Sequence, residues 1–124
     1  MKSSKDYLDE ANRVVRKIDF NDALEKHKGK SAIFIDVRDS SDIAKTGSIT
    51  GSLKIQRGLI EFVADDATNL FNDALKKDSE IILVCGAGGQ AALTGKTLVD
   101  MGYTNVSNLG SISDWEKKGG PMKK

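Results

Sequence analysis

The run Ile81-Ile82-Leu83-Val84-Cys85-Gly86-Ala87-Gly88-Gly89 constrains this chain more than any other stretch. Four consecutive apolar residues predict a strand buried on both faces, as in a parallel sheet. The single cysteine of the chain ends that strand, and three of the next four residues are glycine. Ala91, Leu93 or Thr94, Leu98 and Met101 then recur at helical spacing, which predicts a helix over 90–101. A strand, a glycine loop and a helix start turn successive backbone N–H groups inward and add the positive end of a helix dipole. A thiol placed there is expected to ionise readily and to be reachable from solvent, because the same N–H groups stabilise the thiolate. Cys85 is therefore the candidate nucleophile. Taken alone, it also reads as a small hydrophobe closing a buried strand. The glycines favour the first reading, since they cost backbone entropy except where the chain bends tightly or something must approach.

The flanking segments alternate between strand and helix patterns. Ser3 or Ser4 can cap a helix running to about residue 17, with Tyr7 or Leu8, Ala11, Val14 or Val15, and Ile18 forming an apolar stripe. Residues 18–20 read as extended, and Asn21 as the cap of a short helix over 22–27 that Gly29 ends. Residues 32–37 form a second buried strand. Asp39 or Ser40 caps a helix to residue 44, residues 46–52 form a loop, and 53–55 a short strand. Residues 59–63 make a helical turn or two. A helix over 68–77 is expected to face Leu70, Phe71, Ala74 and Leu75 inward. A last strand over 103–108 centres on Val106, and a final short helix carries Trp115. This alternation predicts an α/β fold: an open, mainly parallel five-stranded sheet with helices on both faces, plus an N-terminal packing helix. The expected division is a helical extension over 1–17 and a domain over 18–124.

Composition removes several function classes. A chain of 124 residues with 39% hydrophobic and 30% charged residues is an ordinary globular domain. A net charge of +1 gives no electrostatic case for nucleic acid or an anionic membrane surface. One cysteine excludes an intramolecular disulfide and a multi-cysteine metal site. No run is long and apolar enough to span a bilayer, and the charged start is unlike a signal peptide. A cytoplasmic location is the default expectation, although a leader already removed would leave no trace.

Sheets of this kind place their sites beyond the C-terminal strand ends, where Cys85 and the Asp36-Val37-Arg38 segment both fall. Asp36 and Arg38 read as a structural pair pinning the following loop, with a substrate role for Arg38 as the alternative. Arg57 follows another strand end on that side and is the outside candidate for binding an anion. Its alternative is a solvated surface arginine. His27, the only histidine, reads as a surface residue late in a short helix.

Ile35-Asp36-Val37-Arg38-Asp39, Gly47-Ser48-Ile49-Thr50-Gly51-Ser52, Cys85-Gly86-Ala87-Gly88-Gly89-Gln90, Met101-Gly102-Tyr103-Thr104-Asn105-Val106, Leu109-Gly110 and Trp115 follow in an order and spacing that resembles a single-domain rhodanese. The resemblance covers residues 18–121. It implies a sulfurtransferase in which Cys85 takes a sulfane sulfur from thiosulfate or a mercaptopyruvate-like donor as a persulfide. A small thiol, cyanide or a protein then accepts the sulfur. Gly86, Ala87, Gly88, Gly89, Gln90 and Arg57 would bind the donor, with no metal or organic cofactor. The alternative is a rhodanese-like binding or regulatory module without catalysis.

This chain departs from the family's Gly-His-Ile-Pro-Gly-Ala motif, carrying Ser48, Thr50 and Ser52 in place of its His, Pro and Ala. Many relatives have arginines in the cysteine loop, but here no residue from Cys85 to Gly95 is charged. The Cys-Gly-x-Gly pattern is similar to that of mercaptopyruvate sulfurtransferases. The phosphatase pattern of Cys followed by five residues and Arg fails, since Ala91 stands at the arginine's place. Gly95-Lys96-Thr97 ends like a phosphate-binding Walker loop, but Gln90 occupies the position of its first glycine.

Overall fold

The short apolar runs become strands because their alternate side chains can be buried on two faces at once. The structure, a computed structural model, describes residues 1–124. Its elements are α1 (Ser4–Val14), β1 (Arg16–Lys17), α2 (Phe20–Gly29), β2 (Ile33–Asp36), α3 (Ser40–Thr46), β3 (Ser48–Ile49), β4 (Leu53–Lys54), a 3-10 turn (Arg57–Leu59), α4 (Ile60–Val63), β5 (Ile81–Cys85), α5 (Gly89–Asp100), β6 (Val106–Ser111), α6 (Ile112–Lys117) and β7 (Met122–Lys123). Five strands form one sheet in the order β1-β6-β5-β2-β4. Every pairing in it is parallel. β3 and β7 pair separately as an antiparallel ribbon.

The fully buried β5 divides the core. Ile81, Leu83 and Cys85 join one apolar cluster with Ile60, Ala64, Ala91, Leu98 and Tyr103. Ile82 and Val84 join another with Ala23, Phe34, Ile112 and Trp115. Helices α4 and α5 thus cover one face, α2 and α6 the other. Cys85 points to the α5 face. α1 lies on α5, and a Cβ placed on Gly95 would come within 2.9 Å of both Val15 methyls. α1 is opened by a capping box in which the Ser3 hydroxyl accepts from Asp6 N–H and the Asp6 carboxylate accepts from Ser3 N–H.

Several boundaries differ from the expectation. The stretch 68–77 is not a helix but a chain of turns. The carboxylate of Asp65 accepts from Ala67 N–H and the Asn72 side chain from Ala74 N–H, local bonds that compete with helical ones. Only Leu75 of its four expected inward residues is buried; Leu70 is exposed. The loop over 46–52 contains β3, held by the C-terminal β7, a partner that local pattern does not reveal. α1 ends at Val14 rather than near residue 17, because Arg16 and Lys17 pair with β6 as β1, earlier than the extended stretch over 18–20, and β6 runs three residues past the expected end. Asp19, not Asn21, caps α2 by accepting from Asp22 N–H. His27 is half-buried rather than on the surface. Its ring packs edge-on against Phe34 at 5.3 Å and Trp115 at 5.7 Å, and Nε2 lies 2.7 Å from the Thr50 carbonyl oxygen. No helix is long and apolar enough to cross a membrane.

Candidate active site at the Cys85 loop

Cys85 is the last residue of β5, and Gly89 the first of α5. Only three residues separate them, so the chain must reverse tightly. Gly88 does this with φ at +101°, a left-handed conformation that a side chain would strain. The other two glycines are not required in this way. A Cβ on Gly86 would meet nothing within 4 Å, and one on Gly89 would touch Leu8 Cδ2 at an ordinary 3.6 Å. The turn brings two N–H groups to the sulfur. Gly88 N–H donates to Cys85 Sγ at 2.9 Å, and Ala91 N–H, from the first turn of α5, at 3.4 Å.

The expected ring of donors from Gly86 to Gln90 is therefore narrower at the sulfur, and it includes Ala91, one residue beyond it. The N–H groups of Gly89 and Gln90 have no partner within the protein, as is usual in a first helical turn. They remain available to an incoming group. The Gln90 side chain is exposed and makes no hydrogen bond. Access differs from the expectation: Cys85 is only 1% exposed, while Gly86 and Ala87 beside it are exposed. The sulfur lies under its own loop because its side chain is shared with the α5 core.

Asp36 and Arg38 form a buried ion pair, Nη2 to Oδ2 at 2.7 Å, with side chains 0% and 5% exposed. Arg38 Nε donates to both carboxylate oxygens, Nη2 also to the Gly47 carbonyl, and Nη1 to the Thr46 hydroxyl. The Ser48 hydroxyl donates to Asp36 at 2.7 Å and lies 3.0 Å from the Ser52 hydroxyl. Ser48 and Ser52, read from sequence only as departures from a motif, are thus members of this polar knot. The hydrogen bond to Asp36 holds the Arg38 guanidinium above its ordinary pKa against the opposing effect of burial. The charges of Asp36, Asp42 and, last, Cys85 add to it. The guanidinium's donors are committed to Asp36, Gly47 and Thr46.

Arg57 is not brought to the loop by a hydrogen bond. Its Nη1 lies 3.2 Å from the Glu61 carboxylate, and its Nη2 donates to the Thr97 hydroxyl on α5 at 3.2 Å. Asn108 on β6 was missed by sequence reasoning. Its Nδ2 donates to the Gly88 carbonyl at 3.1 Å. The available signal was an asparagine inside a strand that is otherwise apolar or small. No group of three or more His, Cys, Asp or Glu residues is arranged to hold a metal ion.

The sequence model of the Rhodanese-like domain matches residues 19–118. The chain belongs to the rhodanese-like domain family. It is 31% identical over 111 residues to the adenylyltransferase and sulfurtransferase UBA4 of Candida albicans, covering 89% of this chain and 24% of that protein. It thus spans about a quarter of that relative's length. Among solved structures, a protein of unknown function from Rhodopseudomonas palustris, described as a possible tyrosine phosphatase, superposes with a TM-score of 0.92 at 31% identity. That match covers 99% of this rhodanese-like chain and 96% of the other. The human single-domain sulfurtransferase TSTD1 shares the fold with a TM-score of 0.72 at 20% identity, over 84% of this chain and 97% of that one.

Proposed function

We propose that this rhodanese-like domain is a sulfurtransferase that carries sulfur as a persulfide on Cys85. The observation that carries the reading is the pair of N–H groups, from Gly88 and Ala91, aimed at Sγ where a parallel strand meets a helix start. Such donors complement a sulfur anion as an oxyanion hole complements oxygen. In the first step the Cys85 thiolate attacks the outer sulfur of a donor such as thiosulfate or a mercaptopyruvate-like thiol. A new S–S bond forms. The bond joining that sulfur to the rest of the donor breaks, and its electron pair leaves with sulfite, or with the corresponding carbanion or enolate. In the second, an acceptor thiolate or cyanide attacks the terminal sulfur of the persulfide, and the electron pair of the Cys85 S–S bond returns to Sγ. The sulfurtransferase name of UBA4 supports this class of chemistry, and it leaves a small thiol or a protein as acceptor.

The uncharged loop bears on the donor. With Arg38 committed to Asp36, Gly47 and Thr46, the remaining guanidinium near this end of the sheet is Arg57. Its pairing with the half-exposed Glu61 is a weak surface contact that a donor anion can replace. Phosphatase chemistry, suggested by the description of the R. palustris protein, does not suit this loop, because Ala91 stands where a phosphate-clamping arginine is needed. The buried sulfur favours one second reading, a binding or regulatory module that kept the fold without turnover. Intact-mass measurement after thiosulfate or mercaptopyruvate treatment separates the two. The sulfurtransferase gains one sulfur atom, gives it up to dithiothreitol and gains none as Cys85→Ser. Wild-type protein that stays unmodified with both donors sinks the proposal.

A further inference from the structure

Asn108 Oδ1 is the only buried side-chain oxygen or nitrogen without a hydrogen-bond partner. The residue is 8% exposed, in β6 between β1 and β5, opposite Lys17 on one side and Leu83 on the other. Burying an unpaired amide oxygen is unfavourable, and an aliphatic residue of the same size would suit such a position better. Stability therefore does not account for the amide. Its one side-chain bond does something else: Nδ2 donates to the carbonyl of Gly88, the residue whose N–H reaches the sulfur. Gly88 has no Cβ to restrict it, and the exposed Gly86 and Ala87 precede it, so the bond from Asn108 ties a permissive residue to the sheet.

We propose that Asn108 is a positioning residue for the sulfur site, holding Gly88 so that its N–H points at Cys85 Sγ. It acts through its bond to the Gly88 carbonyl. The activity part of this inference rests on the sulfurtransferase reading; the structural part does not. Removing the amide leaves no new orphan at the glycine, since the Gly88 carbonyl also accepts from Ala92 N–H at 3.0 Å.

Two variants of the full chain test it. Asn108→Leu removes the donor and the unpaired oxygen together. Asn108→Asp keeps the shape but replaces the donor by an acceptor, and stands in if the leucine variant fails to fold. Asn108→Leu is expected to melt at or above the wild-type temperature. Its Gly88 amide should exchange with deuterium roughly tenfold faster, and kcat for sulfur transfer should fall roughly tenfold with little change in KM. Wild-type exchange at Gly88 in a folded variant overturns the proposal. So does a variant that loses stability and activity in step, which would make Asn108 a packing residue. If the wild-type protein takes no sulfur, the sulfurtransferase reading fails by itself, and the Gly88 exchange rate still decides the positioning role.

Discussion

Two arginines at one end of the sheet have opposite environments, and their substitutions are expected to separate stability from activity. Arg38 is buried against Asp36, and Asp36 also accepts from Ser48. Arg38→Ala leaves a carboxylate in the core with no cation, a loss on the order of 3–5 kcal/mol. A thermal melt should show it as a large drop, and an unchanged melting temperature would mean that water reaches Asp36. Arg57 is different, since its partners are the exposed Glu61 on α4 and the half-buried Thr97 on α5. Arg57→Ala is expected to hold stability within about 0.5 kcal/mol. If Arg57 meets the donor anion as proposed, the change should still raise KM for thiosulfate, because the loop itself is uncharged and Arg38 is committed to Asp36, Gly47 and Thr46. Steady-state kinetics with wild-type KM would remove Arg57 from the site. The Asp36–Arg38 spacing was legible in sequence because both residues lie at one strand end. The serines completing the knot were not, because β3 reaches Asp36 only through the folded chain.

At the scale of elements, the close approach of α1 to α5 hangs on the missing side chain of Gly95. An alanine there would meet both methyls of Val15, a stiff β-branched residue that is itself 4% exposed. Gly95→Ala in the wild type is expected to cost about 1–3 kcal/mol by overpacking. With Val15→Ala already in place, the same change should become neutral or stabilising, since alanine favours a helix interior over glycine by roughly 1 kcal/mol. A double-mutant cycle by urea denaturation measures this, and additive effects would mean that α1 can shift away without loss. Elements with strong local signals were legible: β5 by its apolar run, α5 by its period, and the start of α1 by Ser3 or Ser4, though not its end. The turns over 68–77 were not. Leu70, Phe71, Ala74 and Leu75 mimic a helical face, while side-chain bonds of Asn72, and of Asp65 just before the stretch, tie nearby N–H groups into turns. Their composition signals a turn only once the apolar spacing is discounted.

At the scale of the whole molecule, the parallel sheet followed from strand and helix alternation, while its ties between distant segments did not. Tyr103 is one such tie. It stands between α5 and β6, is 2% exposed, and donates its hydroxyl to the Ala64 carbonyl after α4 at 2.8 Å. Lys77 Nζ lies over its ring at 4.3 Å, so the turn segment over 68–77 is joined to the same residue. Burial raises the Tyr103 phenol above its ordinary value, and the charges of Asp66 and Asp65 add to the effect. The neutral phenol is thus favoured in the folded state. Above about pH 10 the unfolded chain releases this proton while the folded one keeps it, so the unfolded state binds fewer protons. The contribution is present in full below that pH and is lost as pH rises through the folded-state value. Tyr103→Phe should be less stable than wild type at neutral pH by about 1 kcal/mol, the worth of one buried hydrogen bond. Its stability should then fall less steeply on the alkaline side, because the shifted phenol is gone. Urea denaturation of both proteins from about pH 8 to pH 11 supplies the comparison. Parallel curves across that range would mean that the Tyr103 hydroxyl reaches water and that this tie opens before the domain unfolds.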